Sequence, residues 1–237
     1  MNRSFEEDLD KLRTRLIRMG SLVEEQMEFA IRALNEGNVE LAKIVTERDD
    51  KVDKLDLKID KQCQRIFALN QPVASDLRLL LTAVKINNEL ERIGDIASEL
   101  ASMVLHTPTA VEMARRIHFS RITSIMFKML KASLDAFINN DPEMAAHILP
   151  TDSTVDTLYD SLRSEVVELM KSDATLIDTG ASLLIALHDV ERVADHATNI
   201  AENVIFLVEA KLVRHRAVND EQSAFNPLEP MADADND

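Results

Sequence analysis

An acidic motif is written twice in this chain, one hundred residues apart. Leu90-Glu91-Arg92-Ile93-Gly94-Asp95-Ile96-Ala97 returns as Val190-Glu191-Arg192-Val193-Ala194-Asp195-His196-Ala197. A second pair behaves the same way: Asp49, Val52, Asp53 and Leu55 recur as Asp152, Val155, Asp156 and Leu158, displaced by 103 residues. On a helix, carboxylates at i and i+4 leave the same face and repel, so the spacing alone gives the helix no stability. Groups placed in this way can hold a cation, and an all-oxygen set suits Mg²⁺, Ca²⁺, Mn²⁺ or iron. The competing reading is solvated or ion-paired surface. A chain with 42 acidic residues makes such pairs by accident, among them Glu6/Asp10, Glu24/Glu28, Asp56/Asp60 and Asp156/Asp160. Arg92 and Arg192 could neutralise acids on a neighbouring helix. Recurrence in both halves of the chain favours cation binding over surface charge.

Helices must position these groups. Four glycines and six prolines cannot punctuate a sheet protein, and the strong helix formers Leu, Ala and Glu are abundant, so the chain reads as all-α. Apolar periodicity predicts six long helices, over 5–34, 39–69, 74–105, 114–138, 142–170 and 174–213. The first carries Leu9, Leu12, Leu16, Met19, Val23, Met27 and Ile31; the second carries Ile44, Val52, Leu55, Ile59, Ile66 and Leu69. Gly37 is placed to end helix one, and Asp141 to cap helix five with Pro142 as its first residue. Pro150 should interrupt helix five just before Asp152. The expected organisation is two tandem three-helix bundles related by the internal repeat, 1–107 and 108–215. An acidic segment, 216–237, with Pro227 and Pro230, reads as a disordered tail. Up-down-up packing makes neighbouring helices antiparallel. In each half the helix-two pair precedes its turn by about 20 residues and the helix-three pair follows it by about 20, so both lie roughly 30 Å from the turn. Four carboxylates per bundle then meet at one height.

Other chemistry is sparse. The formal net charge of −15 argues against nucleic acid and anionic membranes as partners. A single cysteine, Cys63, on the face of Ile59 and Ile66, reads as a buried small hydrophobe and excludes a multi-cysteine metal site. No leader and no transmembrane segment is evident, which makes a soluble cytoplasmic protein the expectation. A ferritin-like di-iron enzyme needs inward Glu-x-x-His motifs. The residues three before His106, His118, His147, His188, His196 and His215 are Met103, Arg115, Met144, Ile185, Val193 and Leu212, and none is Glu. No phosphate loop or nucleophile elbow is present. The chain is therefore expected not to be an enzyme; a carboxylate-bridged metal enzyme and a purely structural helical scaffold are the alternatives. His196, whose counterpart is Ile96, reads as a supporting residue and not as a ligand.

The string Gln71-Pro72-Val73-Ala74-Ser75-Asp76-Leu77-Arg78, followed by Leu90-Glu91-Arg92-Ile93-Gly94-Asp95, resembles the PhoU family of phosphate-signalling regulators over about residues 5 to 210. The resemblance implies tandem three-helix bundles with iron or zinc on the repeated acidic motifs. Carried over residue by residue, the metal candidates are Asp49, Asp53, Glu91 and Asp95, then Asp152, Asp156, Glu191 and Asp195. Arg92, Arg192, Asp76, Arg78 and His196 are the supporting or ion-pairing candidates. The resemblance also implies a homodimer that links a phosphate ABC transporter to a membrane sensor histidine kinase and restrains the phosphate-starvation response. The second half departs from the family pattern, since no Pro-x-x-x-Asp-Leu-Arg precedes helix six. Its site is expected to be built differently or to bind more weakly.

Overall fold

The computed structural model of the chain describes residues 3–213, so the acidic segment from 216 onward lies outside the described residues. Among the described residues eight helices follow one another: α1 (Arg3–Glu36), α2 (Val39–Asn70), α3 (Ser75–His106), α4 (Pro108–Arg116), α5 (Ser120–Asn139), α6 (Pro142–Ile148), α7 (Asp152–Ser172) and α8 (Ile177–Glu209). Short 3-10 turns at Leu149–Thr151 and Ala174–Leu176 lead into α7 and α8, and no strand occurs among the described residues.

Local signals set the ends. Gly37, at φ +70, closes α1 in the left-handed region, and the Asn38 side chain then accepts from the Leu41 N–H at 3.1 Å to start α2. The Asp141 carboxylate accepts from the Met144 N–H at 2.9 Å ahead of Pro142. Pro150 lies in the 3-10 turn that divides α6 from α7, as its missing N–H requires.

Helix four is not continuous. Ile117 and Phe119 are both buried, yet residues two apart leave a straight helix on different faces. His118, at φ +54, resets the direction of the chain so that both side chains reach the core, and α4 and α5 result. The α1 stripe packs as the periodicity requires, with Leu12, Leu16, Met19, Val23 and Met27 fully buried. Ile44 and Leu69 of α2 instead face solvent, because Ala42 and Val45 take the inner positions near the start of the helix and Ile66 takes the last one. Cys63 is buried, and desolvation pushes its thiol up to about 12, so it is chemically quiet.

α1, α2 and α3 form one bundle; α5, the α6–α7 arm and α8 form the second. The third helices of the two bundles, α3 and α8, pack on each other, and α4 bridges α1, α3 and α8. They run antiparallel: Arg78 of α3 meets Leu207 of α8, and Glu89 meets His196 and Asn199. One hydrophobic core passes through both halves.

Gly94 lets α3 pack closely against Val52 of α2. A Cβ built there would lie 3.1 Å from the Val52 Cγ1, and Val52 is itself buried. Gly94→Val is expected to destabilise the chain by about 1–3 kcal/mol through overpacking, read as a lower urea midpoint at unchanged slope. A midpoint equal to wild type would show that α2 and α3 can separate without cost.

Candidate metal centre

Two stripes face each other along the α2–α3 seam. α2 contributes Asp49, Asp53, Asp56 and Asp60 at intervals of four, three and four, which keeps them on one helix face. α3 runs the other way and contributes Asn87, Glu91, Asp95 and Ser98. The seam is closed at both ends by neutral side chains. Ser98 hydrogen-bonds Asp49 at one end. At the other, the Asn87 Nδ2 donates to the Asp56 Oδ1 at 2.7 Å and to the Asp60 Oδ1 at 3.2 Å.

Between those ends the carboxylates oppose one another. Asp49 is held above the ordinary carboxylate range by burial first, then by Asp53 and Asp95. Asp56 is raised by burial and Asp60, with smaller contributions from Asp53 and Asp95, while Asn87 opposes the rise. Glu91 is raised by burial and Asp95, then by Asp56 and Asp53, against the pull of Arg92. The acids of the two helices thus lie close enough to act on one another's charge. Two buried oxygens, Asp49 Oδ1 and Asn87 Oδ1, have no hydrogen-bond partner.

The α7–α8 seam repeats the plan with fewer acids. The Thr198 Oγ1 donates to the Asp152 Oδ1 at 3.4 Å, which reproduces the Asp49–Ser98 closure. Glu191 is raised by burial, then by Asp195, with Asp156 adding and His188 opposing. The His188 Nδ1 lies 3.2 Å from the Glu191 Oε2. Where the first seam has Asp56, Asp60 and Asn87, the second has Tyr159, Arg163 and Leu187, so it is shorter and carries an imidazole.

The supporting residues have partners of their own. Arg92 reaches Glu91 at 3.4 Å and Asp95 at 3.7 Å on its own helix, not the acids of α2. Arg192 lies 3.5 Å from buried Asp189, again on its own helix. The His196 Nδ1 lies 2.6 Å from the Glu89 Oε2 and so ties α8 to α3. The Arg78 Nε donates to the Leu207 carbonyl at 3.1 Å, satisfying an acceptor in the last turn of α8. Asp76 sits in the first turn of α3, where a negative charge suits the helix dipole.

Sequence reasoning set Asp56/Asp60 aside as an accidental pair and missed Asn87, Ser98 and His188. Asp56/Asp60 has no acidic counterpart in the second half, so repetition could not select it. The signal was present in the continuous stripe of Asp49, Asp53, Asp56 and Asp60.

The donor chemistry fits a hard cation: carboxylate oxygens dominate, they repel one another, and Asp49 leaves one oxygen orphaned. Among the described residues, no three His, Cys, Asp or Glu side chains are already gathered as a ligand set, so binding requires side-chain rotation on the two helices.

A pH dependence follows. The native carboxyls of Asp49, Asp56, Glu91 and Glu191 titrate above their ordinary values of 3.8 for Asp and 4.5 for Glu. The native state therefore keeps protons that the unfolded chain has lost, and stability of the metal-free chain falls as pH rises from those ordinary values through the raised native ones. Buried Asp189 acts in the same direction, and Asp173, lowered by its cap on Thr175, acts in the opposite one. The metal-free protein is expected to melt higher at pH 5 than at pH 7, and Mn²⁺ to reverse that order. Thermal melts at both pH values, with and without the ion, check this; no change of order on adding Mn²⁺ would contradict it.

Comparison with known proteins gives a consistent result. The family profile described as PhoU domain matches residues 16–104 and again 119–204. The chain is 38% identical over 216 residues to the "Phosphate-specific transport system accessory protein PhoU homolog" of Pseudomonas aeruginosa, covering 91% of this chain and 89% of the relative. It is 33% identical over 211 residues to the Escherichia coli K12 protein named "Phosphate-specific transport system accessory protein PhoU", covering 89% of this chain and 88% of that one. Among solved structures, PhoU from P. aeruginosa superposes with a TM-score of 0.80 at 38% identity, covering 87% of this chain and 100% of that one. The phosphate transport system regulatory protein PhoU from Streptococcus pneumoniae gives 0.77 at 28% identity, covering 89% of this chain and 99% of that one.

Proposed function

The chain belongs to the PhoU family, and from that membership we propose that it is an accessory regulator of phosphate uptake whose two acidic seams hold metal ions. The observation that carries the regulatory part is likeness over some nine-tenths of the chain to proteins named for phosphate transport. The metal part is supported by the repeated carboxylates and their mutual repulsion across each helix pair.

Asp49, Asp53, Asp56, Glu91 and Asp95 would hold metal in the first half, and Asp152, Asp156, Glu191 and Asp195 in the second. The bound charge would relieve repulsion and fix one helix against the other. Iron or zinc is the family expectation; Mg²⁺, Mn²⁺ or Ca²⁺ also suits the oxygen donors. His188 makes the second site the better match for zinc. The protein would act without catalysis, at the cytoplasmic face of a phosphate ABC transporter, as a homodimeric adaptor to a sensor histidine kinase. No helix of the described residues is long and apolar enough to cross a membrane, so contact with the bilayer would run through such partners.

The test is removal of the gene from its host and measurement of a phosphate-starvation reporter in phosphate-rich medium. We expect the reporter to rise, and the wild-type gene supplied in trans to repress it. Unchanged repression after deletion would overturn the regulatory reading.

A further inference from the structure

We infer that Asn87 is a switchable ligand of the first seam, holding Asp56 and Asp60 together without metal and turning its carbonyl oxygen onto a hard divalent cation when one enters; this rests on the metal-binding reading above. Asn87 is fully buried, with 0% exposure. Its Nδ2 serves three acceptors: the Asp56 Oδ1, the Asp60 Oδ1 and the Asp56 backbone carbonyl, at 2.7, 3.2 and 3.3 Å. Its Oδ1 has no partner at all. Such an orphaned buried acceptor is a standing cost to the fold.

Packing does not require that cost. The repeat puts Leu187 at the equivalent place in α8, also with 0% exposure, so an apolar side chain fills the same kind of space. What Asn87 adds is chemistry. As a donor it bridges two carboxylates that would otherwise only repel. A cation between Asp56 and Asp60 would face the positive end of the amide dipole. Rotation about χ2 exchanges the nitrogen for the oxygen, which removes that repulsion and gives the orphaned oxygen a partner; the amide N–H groups give up their three acceptors, a loss that the bonds to the cation must exceed. Amide carbonyls are ordinary ligands of Ca²⁺ and related hard cations. The first half is thereby specialised for such ions, whereas the second half offers Leu187 and an imidazole instead.

The test uses the full chain carrying Glu191→Ala, so that titration with Mn²⁺ reads the first seam. Adding Asn87→Leu is expected to lower the metal-free melting temperature, because Asp56 and Asp60 lose the donor they share, and to weaken Mn²⁺ binding by about tenfold or more. Asn87→Asp, which keeps the shape and supplies only acceptors, is expected to lower the metal-free melting temperature and to enlarge the Mn²⁺-induced rise beyond that of Asn87. Wild-type Mn²⁺ affinity in Asn87→Leu, or an Asn87→Asp rise no larger than that of the parent, would overturn the inference and leave the metal reading standing. No binding of Mn²⁺, zinc or iron by the wild-type chain would overturn both.

Discussion

Glu91→Ala combined with Glu191→Ala is expected to strip the protein of at least nine-tenths of its bound metal and to abolish phosphate-dependent repression, while the helical fold persists. Each Glu stands within its seam, raised first by burial and then by the acids around it, and each side chain is about three-quarters buried: 27% exposed for Glu91 and 23% for Glu191. The double variant separates the two explanations of the acids by the sign of its stability change. If the carboxylates were members of a stabilising ion-pair network, removing two would lower the melting temperature. If they are repelling ligands awaiting a cation, the metal-free double variant should melt at or above the metal-free wild type. Elemental analysis, far-ultraviolet circular dichroism and melts on the same samples decide between them. Wild-type metal content in a folded double variant would contradict the assignment.

Phe119→Ala is expected to cost about 3–5 kcal/mol, the usual range for deleting a fully buried aromatic side chain. Phe119 is 1% exposed and occupies the break between α4 and α5. His118→Gly serves as the control. Its positive φ of 54° is strained for histidine and free for glycine, so that variant should be neutral or slightly stabilising. Urea unfolding of both checks the pair. A small loss in Phe119→Ala would mean that the break is not anchored by that ring.

The Phe119 break also shows where reading the sequence stopped. The long helices were legible because α1 and α3 keep an apolar period over many turns, and because Gly37, Asp141 and Pro150 mark local events. The interruption at 117–119 was not legible. Its cause is tertiary: two apolar residues with the wrong helical spacing are both drawn into a core that spans the two halves. Exposure of Ile44 has a similar origin, since Ala42 and Val45 sit closer to the neighbouring helices. Within the candidate site, repetition selected the eight acids but hid the asymmetric members. Asp56, Asp60 and Asn87 have the counterparts Tyr159, Arg163 and Leu187, so a search for repeated residues passes over them. The partners of Arg78 and His196 lie 129 and 107 residues away, and no local pattern encodes such pairs.

Metal binding by the paired carboxylate seams is tested first by elemental analysis of the purified, untagged protein with a thermal melt before and after chelation. Metal-binding seams should give several equivalents of iron, zinc or manganese per chain, a lower melting temperature after chelation, and recovery when the metal is returned. Protein that is free of metal and melts unchanged with added iron, zinc or manganese would contradict metal binding there.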